Sequence, residues 1–163
     1  MSAPSSHSVF SKRLIRWDRH AGAYRLSMSE NDRAVLRELA PQFVSLLEDP
    51  EQPVVKRLFP PAYSDPAHAE HQEEYRRLML EDLVERHRAE FELLAETSNA
   101  ETLTEEQLLA WSRAVNSIRL ILGTYIDVSE EDEGRTPETT EEALYHWLTY
   151  VLGEAIEALD GQT

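Results

Sequence analysis

Residues 108–125 read as a helix that is apolar on two faces, and this pattern limits the fold more than any other feature of the chain. At 3.6 residues per turn, Leu108, Trp111, Val115, Ile118, Leu122 and Tyr125 form one stripe, while Leu109 and Leu120 fall on the opposite side. Such a helix needs neighbours on both sides, which predicts a central place in a bundle. Two polar residues interrupt the pattern. Arg119 stands at the edge of the stripe, and Asn116 lies between that edge and the second face, near Arg113. Both are expected to be partly covered, and covered polar groups need partners. Two readings stay open: a structural one, in which amide and guanidinium satisfy loop carbonyls or a carboxylate, and a pocket for a small ligand or peptide.

The neighbours that this helix requires are legible on either side of it. Thr104-x-x-Gln107 is a capping-box pattern that starts the central helix, which runs to about Ile126. Ser29-x-x-Asp32 starts an earlier helix carrying Leu36, Leu39, Ala40, Phe43 and Leu47 at helical spacing. Pro41 lies inside that helix and is expected to kink or break it, because it cannot donate to the Arg37 carbonyl. Residues 54–65 read as a single helical turn stopped by Pro60 and Pro61. Asp65–Pro66 then opens a long helix to about residue 96, with Met79, Leu80, Leu83, His87, Phe91 and Leu94 on one side. Thr139-x-x-Glu142 starts the last helix, through about Leu159, with Leu144, Leu148, Val151, Leu152, Ala155 and Leu159 in its stripe. Ahead of all these, residues 9–28 alternate in polarity about Asp18–Gly22, with Phe10, Leu14 and Ile15 before the turn and Tyr24 and Leu26 after it, a β-hairpin pattern. The predicted fold is all-α: a bundle of four to five helices with an N-terminal hairpin. Residues 1–8 are expected to form a flexible tail, and 9–163 one domain (hairpin 9–28, bundle 29–163).

Charge narrows the function classes. The chain carries a net −15, unevenly spread. Five bases and one acid in residues 1–28 leave +4, whereas eleven bases and thirty acids in residues 29–163 leave −19. Binding to phosphate backbones needs a concentrated positive field, so the acidic body is expected not to bind DNA directly. Cysteine is absent, which rules out disulfides, thiol nucleophiles and thiolate metal sites. No apolar run reaches the ~18–20 residues of a membrane span, and the amino terminus has no apolar signal core, so a cytoplasmic, membrane-free protein is expected.

The candidate chemistry is sparse. His68 and His71 share a helical face at i, i+3, but no Glu-x-x-His pair of the helical di-metal kind is present, so neither metal nor cofactor is expected. His87, on the apolar face of the long helix, reads as a hydrogen-bonded core histidine, with a base in a pocket as the alternative. Phosphate loops, nucleophile elbows and metalloprotease motifs are missing, so the chain reads as non-enzymatic. Residues 127–140 hold six acids against Arg135 alone, as either a solvating linker or a docking surface built on Glu130, Glu131, Asp132 and Glu133. Tyr145 and Tyr150 are candidates for an aromatic partner contact, or ordinary bundle residues.

Three blocks, RLFPPAY (57–63), AVNSIRLILGTYIDVSEED (114–132) and ALYHWLTYVLGEAIEAL (143–159), resemble the actinobacterial AosR-like regulator family, long catalogued as a domain of unknown function. The resemblance covers most of residues 10–160, and Asn116, Arg119 and Gly123 fall within its central block. It implies a stress-response regulator that binds transcription machinery, including an RNA polymerase sigma factor. The thiol switch of such a regulator uses a Cys-x-x-x-Cys pair, which this chain lacks. The expected function is therefore a non-enzymatic regulatory module that binds a protein. The alternative is a small-ligand binder or enzyme with a polar pocket around Arg119 and His87.

Overall fold

The computed structural model describes residues 13–56, 58, 69–126 and 139–161, with the side chains of 69–72 excepted. The hairpin consists of β1 (Ile15–Asp18) and β2 (Ala23–Leu26), paired antiparallel with Ile15 opposite Leu26 and Trp17 opposite Tyr24. Its turn is held by Asp18, whose carboxylate accepts from the His20 and Ala21 amides and pairs with Arg25 at 2.8 Å. Gly22 closes the turn at φ 63°, a left-handed conformation that a side chain would strain. Phe10, expected on this hairpin, lies outside the described residues, as do the first eight.

Three of the predicted caps form within the described residues. The Ser29 hydroxyl accepts the Asp32 amide at the head of α1 (Glu30–Leu46), and Thr139 accepts the Glu142 amide at the head of α5 (Thr140–Asp160). At the head of α4 (Glu105–Ile126) the capping box is complete: Gln107 donates its amide to Thr104 Oγ1, and Thr104 donates its own to Gln107 Oε1. Residues 53–56 form the short α2 (Pro53–Lys56), and the long helix is α3 (Ala69–Glu96). Its expected start at Asp65–Pro66 lies outside the described residues.

Of the two outcomes expected at Pro41, a break does not occur, since α1 continues to Leu46. The proline lies on the exposed side of the helix, while Leu36, Ala40 and Phe43 are buried. The expected hairpin forms, and a third short strand extends it into a three-stranded sheet. β3 (Thr102–Leu103) pairs with β2, Tyr24 opposite Leu103, and the Leu26 amide donates to the Glu101 carbonyl. Two residues are too few to show alternation in a sequence.

Helix α4 is central, packed against α5 on one side and α3 on the other, with α1 completing the layer over α3. Leu108, Trp111, Val115 and Ile118 are buried as the stripe predicted, and Ala114 and Ile121 cover the flank. Trp111 donates its indole N–H to Thr97 Oγ1 at 2.6 Å, tying the end of α3 to α4. Tyr125, assigned to the stripe, is 58% exposed, because it sits in the last turn of the helix.

Arg33 helps to join the sheet to the bundle. Arg33, in the first turn of α1, donates to the carbonyls of Leu26, Met28, Ser98 and Ala100, which come from the end of β2, the link to α1 and the α3–β3 connection. Arg33→Ala is expected to destabilise the fold by about 2–3 kcal/mol, because several partly buried carbonyls lose a charged donor together. Arg33→Lys is expected to recover little, since one ammonium cannot span four acceptors. Urea denaturation monitored by circular dichroism checks both.

Candidate functional site

A concave groove of about 570 Å³ lies between α3 and α4. Leu58, Leu83 and Leu120 supply its apolar wall, and Arg86, His87, Glu90, Arg113, Asn116 and Ser117 its polar one. The groove exists because α3 turns His87 and Glu90 inward at i, i+3 while α4 presents Arg113, Asn116 and Leu120 at i, i+3, i+7. His87 Nδ1 stands 3.7 Å from Glu90 Oε1, and Arg113 Nη1 stands 3.8 Å from Glu90 Oε2, near enough for charge interaction but beyond a hydrogen bond. Burial pushes the His87 imidazole below its usual range, aided by Arg86 and opposed by a hydrogen bond with the Leu58 backbone. Burial also pushes the Glu90 carboxyl up, against the pull of Arg113 and Arg86. Burial thus disfavours the charged form of each group, and His87 stacks on Phe91 at the edge of the core.

Arg119 does not line this groove. Its guanidinium turns toward α5, donating to Asn116 Oδ1 at 3.0 Å and to the Tyr145 hydroxyl at 3.4 Å, and lies 5.7 Å from the centre of the Tyr145 ring. Gly123 completes the arrangement, because a Cβ there would come within 3.3 Å of Tyr145 Cε2. Asn116, Arg119 and Gly123, spaced i, i+3, i+7, thus form one ridge of α4 whose Arg119 and Gly123 meet Tyr145. Asn116 is the link: it accepts from Arg119 and also borders the groove. The structure brings His87 and Asn116 to the groove, while Arg119 reaches it only through its hydrogen bond with Asn116.

The outer face of α5 is the third feature. Tyr150 is 53% and Ile156 47% exposed, and with Thr149, Gly153, Glu154 and Glu157 they border a shallow concavity of about 440 Å³. Burial, then Glu154 and Asp32, hold the Tyr150 phenol above its usual range, and its hydroxyl is hydrogen-bonded to Glu154. Tyr145, by contrast, is half-buried in the bundle. The acidic run Glu130, Glu131, Asp132 and Glu133 lies outside the described residues, as do His68 and the side chain of His71. Among the described residues no three His, Asp or Glu side chains are arranged to hold a metal ion.

Sequence reasoning missed Glu90 and Ile156. Glu90 carried a usable signal, since it sits one turn beyond His87 on the same face. Ile156 had none, because single exposed aliphatic residues are common on soluble surfaces.

These features define an acidic helical bundle with a three-stranded cap, no helix of which, among the described residues, is long and apolar enough to cross a membrane. The chain belongs to the family described as Domain of unknown function (DUF2017), which matches residues 14–159. No curated protein and no solved structure matches it.

Gly123→Val is expected to lower stability by about 1–3 kcal/mol through overpacking against Tyr145. Tyr145→Ala in the same chain is expected to recover part of that loss, which a double-mutant thermal denaturation cycle reads directly. The groove carries a pH signature. The pKa of His87 is depressed on folding, so its contribution to stability is complete above the ordinary value of ~6.5 and is lost as pH falls below it. Glu90, with a raised pKa, contributes fully below its ordinary carboxyl range and loses that contribution as pH rises through the folded value. Glu90→Gln is therefore expected to be neutral or stabilising at pH 7.5, and His87→Gln to flatten the loss of stability from pH 6.5 to 5, in melts across that range.

Proposed function

We propose that this protein is a non-catalytic regulatory module that acts in the cytoplasm by binding a protein of the transcription machinery, and that its acidic body does not contact DNA directly. The observation that carries this reading is the outer face of α5, where Tyr150 and Ile156 stand exposed on a chain of net charge −15. Exposed aromatic and aliphatic anchors give contact energy, and a one-signed field raises the rate at which an oppositely charged partner arrives. The AosR-like resemblance supports transcription as the setting and makes an RNA polymerase sigma factor the first partner to test. Thiol-based stress sensing does not carry over to a chain without cysteine.

The groove between α3 and α4 favours a second reading, a small-ligand site or active centre, through the partly buried Glu90 held between His87 and Arg113. Its polar groups would be His87, Glu90 and Asn116, without Arg119.

Co-purification from the native cell, followed by a binding assay with the purified partner, tests the first reading. Replacing Glu130, Glu131, Asp132 and Glu133 together by Gln or Asn is expected to slow association severalfold and to flatten its salt dependence. Stopped-flow association between about 50 and 300 mM salt measures both, and an unchanged rate and slope would remove the acidic run from the docking model.

A further inference from the structure

Glycine within an exposed helix costs about 0.5–1 kcal/mol relative to alanine, so each one invites a reason. Among the described glycines, Gly22 has a positive φ, Gly123 makes room for Tyr145, and Gly161 caps the end of α5. Gly153 has none of these. It sits in the middle of α5, is exposed, and an added Cβ would meet nothing within 4 Å. Its missing side chain instead leaves the floor of the shallow concavity between Tyr150 and Ile156, one turn away on either side. A bare backbone flanked by two exposed apolar side chains is the surface on which a second helix can cross closely, its ridge entering the gap.

We propose that a basic amphipathic helix of a partner protein docks across α5 at Gly153, with its apolar side between Tyr150 and Ile156. The charges select the occupant. Asp32, Glu154 and Glu157 lie on or against this face, and among the described residues Arg13 beside it is paired with Glu157. A second copy of this chain would bring one body of net −15 against another and repeat the same acids across a two-fold contact. A helix with Lys or Arg on its flanks meets those acids at the rim and covers the apolar residues at the centre. This inference rests on the protein-binding reading above and adds to it the surface, the charge and the secondary structure of the partner.

The test uses the full-length chain and a labelled Leu/Lys amphipathic peptide of about five helical turns, compared by fluorescence anisotropy with an isomer of equal composition whose leucines are dispersed around the helix. The amphipathic peptide is expected to bind at least tenfold more tightly than the isomer. Gly153→Leu and Tyr150→Ala are each expected to weaken it about tenfold. Tyr75→Ala and Leu78→Ala, at exposed positions of α3, are expected to leave binding unchanged. Gly153→Ala separates docking from folding: it should raise the melting temperature of the free protein by about 2–4 °C while still weakening the peptide. Equal binding of the two peptides, unaffected by the α5 variants, overturns the docking site and leaves charge-driven protein binding standing. Binding of neither peptide at low salt overturns the protein-binding reading with it. A tenfold gain when Val9 and Phe10 are both replaced by Ser would show that the preceding segment of the same chain occupies the face, which also overturns the proposal.

Discussion

The guanidinium of Arg33 holds together three parts of the chain that are distant in sequence. Its four carbonyl acceptors come from the last residue of β2, Leu26, from Met28 in the link to α1, and from Ser98 and Ala100 beyond the end of α3. Unserved carbonyls in such a place oppose folding, and arginine alone among the side chains offers five donors in a rigid fork. With those three segments gathered, the Leu26 amide can reach Glu101, β3 can pair with β2, and Thr97 comes to the indole of Trp111. The junction thereby brings the sheet and the end of α3 to α4, whose packing on α3 and α5 forms the groove and the α5 contact.

Features decided within a turn or two of chain were readable from the residues. Ser29, Thr104 with Gln107, and Thr139 act on amides three positions away, so their spacing was sufficient. The central place of α4 was readable for a related reason, because a helix apolar on two faces has few other places to go. Features decided by distant segments were not readable. Arg33 looks like any charged residue in a first helical turn until Ser98 and Ala100 arrive beside it. The effect of Pro41 depended on which way it faced, and that was settled by the burial of Leu36, Ala40 and Phe43.

The candidate sites divide the same way. Asn116 and Arg119 were recognisable as polar residues requiring partners, but not the choice between pocket and packing. The structure answers differently for each: Arg119 is engaged by Asn116 and Tyr145 across the α4–α5 interface, while Asn116 also borders the α3–α4 groove. One amide thus stands between the two interfaces of the central helix. A change in its rotamer alters a hydrogen bond on one side and the lining of the groove on the other.

Charge and shape contribute different things to recognition on this surface. A net −15 acts over a Debye length of about 8 Å at physiological salt, drawing basic molecules toward the body without distinguishing among them. None of the four long helices has a basic residue in its last turn, so their partial negative ends add to that field rather than offset it. Discrimination must then come from contacts that depend on fit and on the exclusion of water. On α5, Tyr150, Gly153 and Ile156 supply a contour of that kind inside the acidic field, with Glu154 positioned by the Leu14 amide and by Tyr150. A partner drawn in by charge alone leaves as salt rises, whereas one that covers this contour keeps its apolar contacts, so the residual affinity at high salt measures how much of the recognition is shape.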